Sequence, residues 1–145
     1  MGKMGLAAAV AVLLLASVAF AGAVGAKGTK KASQADLTIT SFDAYWYTSG
    51  SGAVFATGTV KNIGTAPTSA WSITALLING YAVGSYGLEV LQPGEERNFT
   101  MIAGPSVCSS GLTATAAADY YNTVPESNEN NNAMTKSVPC PSKRA

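Results

Sequence analysis

From Asp36 onward, the sequence consists of short segments in which apolar and polar residues alternate, separated by clusters of glycine, proline and asparagine. This region contains no stretch in which apolar residues recur at the spacing of an amphipathic helix. Successive side chains of a β-strand point to opposite faces of the sheet, so each segment predicts a strand with one buried face. The pattern therefore constrains the chain to an all-β fold.

About seven such segments follow one another at roughly ten-residue spacing, which is typical of a β-sandwich. Each predicted strand has one apolar face, and two sheets of such strands must cover each other to bury those faces. We therefore predict two facing antiparallel sheets built from about seven strands. The region from Asp36 to Cys140, about 105 residues long, can form one modest core, in which a single crosslink would contribute noticeably to stability.

Local irregularities in the pattern predict specific features. The apolar phase slips near Ser41, which indicates a β-bulge or bend in the first strand. Asn79-Gly80 is a strong signal for a tight hairpin, and Pro93-Gly94 predicts a second turn. In the third strand, alternation predicts that four residues face the core: Trp71, Ile73, Ala75 and Leu77.

The N-terminal residues 1–26 differ from the rest, because Leu6–Ala26 carries no charge and follows the positive Lys3. This composition predicts a helical secretory signal peptide. An uncleaved membrane anchor is the alternative, since about 20 apolar residues can span a bilayer. Residues 27–35 are polar and predict a flexible leader. Both interpretations place the domain outside the cytoplasm, secreted or on the cell surface.

The charges beyond the signal are nearly balanced, and this gives no electrostatic reason to expect a nucleic acid as partner. A membrane becomes a partner only if the N-terminal segment is not cleaved.

Two cysteines are present, Cys108 and Cys140. An even number in an exported chain favours a disulfide, and two free buried thiols are the alternative. The loop that they would close contributes roughly 3 to 4 kcal/mol on a chain-entropy estimate. The chain lacks histidine and a second cysteine pair, which argues against a tetrahedral zinc site.

The order of several motifs resembles the CARDB domain, a bacterial and archaeal cell-adhesion-related module. The similar segments are "DLTIT", "GTVKNIGTAPT", "LQPGEE" and the closing "TATAAADYYNTVPESNENNNAMTKSV". The resemblance covers Asp36 to Val138 and implies an immunoglobulin-like or fibronectin-III-like sandwich over residues 36–140, followed by a tail, 141–145. It implies no catalytic residues. The cysteine pair and the insert "GPSVCSSG" depart from the family pattern.

The closing segment also contains two carboxylates among four asparagines between Glu126 and Asn132. The simplest interpretation is a turn, because asparagine and aspartate tolerate left-handed backbone and bond to nearby main-chain groups. Calcium, which requires six to eight oxygen ligands, is the functional alternative, and a partner-binding loop tip is a third. The calcium candidates are Asp119, Glu126, Asn128 and Glu129. No other cofactor is expected.

Two further features could mark binding or modification. Asn98 begins an N-glycosylation sequon, and alternation points its side chain to solvent. Tyr45, Trp46 and Tyr47 are consecutive, so at least one ring must lie on the outer face, where it could contact carbohydrate or protein.

The sequence argues against an enzyme, because without histidine it lacks a Ser-His or Cys-His nucleophile. We predict a non-enzymatic adhesion or interaction module that contacts another extracellular protein or a carbohydrate. Two alternatives remain. One is a filament subunit that assembles by lending a strand of its N-terminal segment to a neighbour. The other is a calcium-dependent binding module.

Overall fold

The fold is taken from a computed structural model, which describes residues 32–47, 52–104 and 111–140. The predicted signal helix, most of the leader, Cys108 and the C-terminal tail lie outside these residues. Within the three described ranges, there is no helix of a length and hydropathy suited to crossing a bilayer.

The described chain forms seven strands and confirms the predicted all-β fold. They make two antiparallel sheets, one with the strand order β1-β2-β5 and the other with the order β4-β3-β6-β7. The strands are β1 (Leu37–Tyr47), β2 (Ala53–Asn62), β3 (Ser72–Ile78), β4 (Tyr81–Leu88), β5 (Glu96–Ala103), β6 (Leu112–Ala117) and β7 (Ala133–Val138).

Alternating residues of the strands fill the core, as the apolar pattern predicts. In β2, Val54, Ala56 and Val60 are buried, while the residues between them lie nearer the surface. Phe99 and Met101 of β5 follow the same rule. The core is therefore a layer of side chains between two pleated sheets.

The predicted irregularity of β1 is confirmed as a register shift between Ile39 and Ser41 in its pairing with β2. One additional residue, Thr40, changes the phase of the strand. As a result, both Ile39 before the shift and Phe42 after it are buried in the core. The bulge thus reconciles two apolar segments of opposite phase in one strand.

The predicted orientation of β3 is wrong. Leu76 and Ile78 enter the core, whereas Trp71 precedes the strand and is 56% exposed. The sequence of β3 explains the error, because apolar residues occupy both of its faces and alternation does not decide between them. Of the remaining residues, Ile73 and Leu77 are half-buried, and Ala75 is buried outside the core cluster.

Both predicted turns are present. Asn79 and Gly80 have φ values of 50° and 85°, as a tight hairpin between β3 and β4 requires. Gly94 has a φ of 81°, and the Glu95 N–H donates to the Gln92 carbonyl at 2.9 Å. Glycine supplies the left-handed backbone of both turns at little cost.

Ordered structure begins before Asp36, where we predicted the domain to start. The Ser33 hydroxyl donates to the Thr65 carbonyl at 2.8 Å, and the Thr65 N–H donates to the Gln34 carbonyl at 2.8 Å. Ala35 is buried in the core cluster. The last residues of the predicted leader therefore belong to the sandwich.

Candidate functional site

The three consecutive aromatic residues of β1 divide between the two faces of the sheet. Tyr45 and Tyr47 are each about half exposed on the outer face, at 47% and 48%. Trp46 points the other way, packs against the core and lies beside Gly52. Two of the three candidate aromatics are therefore available to a partner.

Tyr45 belongs to a row of apolar side chains that crosses all three strands of its sheet. It pairs with Phe55 of β2, which pairs in turn with Ile102 of β5. The Tyr45 and Phe55 ring centroids are 5.2 Å apart, and Ile102 is 62% exposed. We call these three residues the apolar row. Contiguous apolar side chains on a solvent-facing sheet surface are typical of an interaction site.

A polar ladder lies on the same outer face, further along the strands. The Ser41 hydroxyl donates to Thr59 Oγ1 at 2.9 Å, and the Thr59 hydroxyl donates to Asn98 Oδ1 at 2.9 Å. Hydroxyl and amide groups of this ladder, with Asp43, Thr57 and Thr100, line a shallow depression of about 440 Å³. The face therefore combines an apolar row with a set of hydrogen-bonding groups.

Asn98, the predicted glycosylation residue, is exposed on this face, as alternation indicated. The structure does not test whether it is modified.

The closing loop uses its acidic residues to hold its own main chain. Asp119, buried and with a φ of 42°, accepts hydrogen bonds from the Thr123 N–H at 3.1 Å, the Thr123 hydroxyl at 2.7 Å and the Val124 N–H at 2.8 Å. Val124 is buried at the end of the core. Asp119 thus shapes the turn that places Val124.

Glu126 connects the loop to β1. Its carboxylate accepts hydrogen bonds from the Leu37 N–H and from Asn132 Nδ2, the latter at 3.0 Å. The residue is only 8% exposed. Burial raises its pKa to about 7, and the negative charges of Glu129 and Asp119 act in the same direction, against the hydrogen bonds.

The other two calcium candidates make local contacts. Glu129 accepts a hydrogen bond from the Glu126 N–H at 2.9 Å, and Asn128 accepts one from the Asn130 N–H at 3.1 Å. In the part of the chain that the structure describes, no three acidic, cysteine or histidine residues gather as metal ligands would.

Two asparagine oxygens beside these carboxylates are buried and have no hydrogen-bond partner among the described residues. They are Oδ1 of Asn131 and Oδ1 of Asn132. The amide nitrogen of Asn131 donates to Asp36 at 2.8 Å, and that of Asn132 donates to Glu126. The loop therefore holds oxygen atoms that its own polypeptide leaves unsatisfied.

The sequence analysis did not single out several of these residues. Phe55 and Ile102 lie at outward positions of their strands, which alternation could have shown, but the pairing that joins them to Tyr45 depends on register. Asp36 lies far from the closing loop in the sequence, and only the fold brings it to Asn131 and Ser127.

Cys140 follows β7, and its Sγ accepts a hydrogen bond from the Gly111 N–H at 3.0 Å. Gly111 precedes β6, which pairs with β7 in an antiparallel hairpin. The open end of this hairpin is where we expected the cysteines to meet. Cys108 lies outside the described residues, so the disulfide stays a prediction.

Comparison with known proteins gives a consistent result. The model of the CARDB family matches residues 34–136. A crystal structure of a CARDB domain from Pyrococcus furiosus, in complex with di-metal ions, is 27% identical, with a TM-score of 0.59 over 73% of this chain and 88% of that chain. A solution structure of that domain gives a TM-score of 0.60 over 74% and 95% of the two chains.

A domain of a proposed cell-surface protein from Methanosarcina acetivorans is 21% identical, with a TM-score of 0.59 over 75% of this chain and 94% of that chain. At this identity the likeness concerns the fold alone. No curated protein matches the sequence.

Proposed function

Since this chain belongs to the CARDB family, we propose that it is an exported, non-catalytic interaction module that binds its partner through the outer face of the β1-β2-β5 sheet. CARDB domains are binding or structural domains without catalytic activity. The observation that carries the proposal is the apolar row formed by Tyr45, Phe55 and Ile102. Export is supported by the charge-free N-terminal segment.

The chemistry of this face suits either a protein or a carbohydrate. Tyrosine and phenylalanine rings offer large contact area and flat surfaces for stacking. The hydroxyl and amide groups of Ser41, Thr59 and Asn98 can accept or donate hydrogen bonds to the polar edge of a partner. These properties and the family support adhesion to another macromolecule.

The carboxylates of the loop support a role without catalysis. Asp119 and Glu126 both hold main-chain N–H groups, so their lone pairs stabilise the fold. The sequence also lacks the histidine that would serve as a general base near neutral pH.

The proposal can be tested by measuring how the exported protein binds to intact cells of the producing organism. Flow cytometry with the labelled protein should show saturable binding. Ile102→Asp should weaken binding by at least about tenfold, because a charge in the apolar row must be desolvated on contact. Thr113→Asp is the matched control, since Thr113 is exposed on the other sheet. Equal binding by both variants would refute the proposed surface.

A second candidate is a divalent-cation-dependent module, favoured by the unpartnered oxygens of Asn131 and Asn132. Together with Asp36 and Glu126 they offer oxygen ligands of the kind that calcium prefers. The di-metal complex of the Pyrococcus furiosus domain adds support. The orphan oxygens would gain a partner if a cation bound there.

Thermal unfolding with calcium and with chelator tests this candidate. A cation bound only by the native form raises the melting temperature. Asp36→Asn should reduce that increase, whereas Asp43→Asn, at an exposed position of β1, should leave it intact. A melting temperature unchanged by calcium would remove the candidate.

A further inference from the structure

The four outermost strands of the sandwich differ in how they are protected against pairing with another chain. Within the described residues, β1 and β5 border one sheet, and β4 and β7 border the other. An edge strand exposes unpaired N–H and carbonyl groups, which can pair with a further strand. Inward charges, prolines and bulges are the usual protection.

Three of these edges carry such protection. In β7, Lys136 lies on the same inward-facing side of the strand as Val138, and its ammonium lies 3.7 Å from Asp43 of β1. In β5, Arg97 pairs with the buried Val60, and its guanidinium lies 2.7 Å from Glu95. β1 carries the bulge at Thr40 in addition to Asp43. A strand that docked on these edges would have to displace or bury a charge, or follow an irregular backbone.

The fourth edge, β4, has much weaker protection. Its sequence, "YAVGSYGL", contains neither charge nor proline. Tyr81 is 78% exposed and Val83 is 46% exposed. One bulge lies near Val83, where the pairing with β3 shifts, and the stretch Gly84–Leu88 beyond it pairs regularly with β3.

We propose that the edge of β4 pairs antiparallel with β4 of a second copy of this chain. In a two-fold antiparallel pair, each strand faces its own sequence, so a charged residue close to the two-fold axis would lie beside its own copy. β4 lacks charge and thus avoids this repulsion. The pair would join two four-stranded sheets into one continuous sheet.

The surroundings of Gly84–Leu88 are compatible with this pairing. The Trp71 indole lies against Gly87 and adds an exposed apolar surface next to the edge. Glu89 and Arg97 border the end of β4, and Arg97 is paired with Glu95. A second copy would therefore meet an uncharged strand whose neighbouring charges are confined to one end.

The symmetry distinguishes this arrangement from a filament. A two-fold contact uses the same surface on both copies and closes at two subunits, whereas strand lending by the N-terminal segment is head-to-tail and can continue indefinitely. The proposal thus predicts a dimer that dissociates on dilution, without larger species.

The test measures the mass of the natively exported protein by light scattering and sedimentation over a wide range of concentration. Ser85→Lys places a charge on the β4 edge and should raise the dimer dissociation constant by at least about tenfold. Ser137→Lys is the matched control, because Ser137 is an exposed serine on β7, the opposite edge of the same sheet. It should leave the dissociation constant unchanged.

A protein that remains monomeric at all concentrations would overturn the proposal. So would a loss of dimer caused equally by both variants. Masses that keep growing with concentration would instead assign assembly to a head-to-tail contact. A monomer whose β4 amide resonances shift only on addition of an extended apolar peptide would assign the edge to a foreign strand.

Discussion

The carboxylate of Glu126 accepts a hydrogen bond from the main-chain N–H of Leu37, which joins the loop before the last strand to the start of the first. The Ser127 N–H donates to the Ala35 carbonyl at 2.8 Å and extends the same connection. β1 belongs to one sheet, and β7, which follows the loop, belongs to the other. The two residues therefore couple the sheets at one end of the sandwich.

The first prediction concerns pH. Glu126 titrates near 4.5 in the unfolded chain, and its pKa in the folded protein is raised to about 7. The folded state thus binds the proton more tightly, so this stabilising contribution is complete below pH 4.5 and is lost as pH rises through 7. The loss should be on the order of 3 kcal/mol, given about 1.4 kcal/mol per pKa unit.

Urea unfolding across this pH range, with chelator present, measures the effect. Glu126→Gln cannot titrate, so the stability of the wild type relative to this variant should fall as pH rises. Glu89→Gln is the control, because Glu89 is exposed and its charge is not among those that act on Glu126, so its substitution should preserve the slope. If the difference between wild type and Glu126→Gln is constant with pH, Glu126 does not titrate with a raised pKa.

The second prediction concerns Asn62, which is fully buried and makes four hydrogen bonds. Its Oδ1 accepts from the Asp36 N–H at 3.1 Å and the Gly64 N–H at 3.0 Å. Its Nδ2 donates to the carbonyls of Ala66 at 2.8 Å and Leu91 at 3.0 Å. Asn62→Ala removes the side-chain partner of the Asp36 and Gly64 N–H groups and of the Ala66 carbonyl, while the Leu91 carbonyl keeps the Thr68 N–H at 3.0 Å. The substitution should cost about 3 to 5 kcal/mol of stability.

Denaturant unfolding checks this value, and Asn98→Ala is the matched control. Asn98 is exposed, so its substitution should change stability by less than about 0.5 kcal/mol. Similar losses in both variants would contradict a special role for Asn62.

The third prediction concerns the disulfide between Cys108 and Cys140. Reduction of the exported protein should lower its stability by about 3 kcal/mol, because the bridge restricts the unfolded chain. Non-reducing peptide mapping by mass spectrometry should find the two cysteines in one crosslinked peptide. Replacing both with serine should make stability insensitive to reductant, and two free thiols in the native protein would contradict the prediction.

The sequence predicts those features of the fold that depend on only a few neighbouring residues. The phase slip near Ser41 and the Asn79-Gly80 pair each have one physical reading, a bulge and a hairpin, and both are present. The orientation of β3 could not be predicted, because apolar residues occupy both of its faces. The contact between Asp36 and Asn131 could not be predicted either, since it joins residues from opposite ends of the domain.

The candidate site likewise combines features that the sequence predicts with features that depend on the whole fold. Alternation indicates that Tyr45 or a neighbouring ring is exposed, but the apolar row also requires the registers of β1 with β2 and of β2 with β5. These registers are fixed by the packing of the whole core. The resemblance to the CARDB family predicts the fold from the sequence. The apolar row, in contrast, becomes apparent only from the strand pairing of the folded protein.

The fourth prediction concerns Gly58, which lies between Phe42 and Phe99 in the β1-β2-β5 sheet. A Cβ atom at this position would lie 2.4 Å from Phe99 Cζ and 2.5 Å from the main-chain oxygen of Ser41. Neither neighbour can yield easily, because Phe99 is buried in the core and the Ser41 oxygen belongs to the bulged strand. Gly58→Ala should therefore destabilise the protein by about 1 to 3 kcal/mol through overpacking.

Gly84→Ala provides the comparison for Gly58→Ala, since it makes the same change in another strand. Its Cβ would lie 3.6 Å from Leu76 Cβ and 3.8 Å from Met101, which are ordinary contacts. Alanine at Gly84 should be neutral or slightly stabilising, because it reduces the freedom of the unfolded chain. Thermal or urea unfolding of the two variants side by side measures the difference, and equal stabilities would show that the close approach at Gly58 is absent in solution.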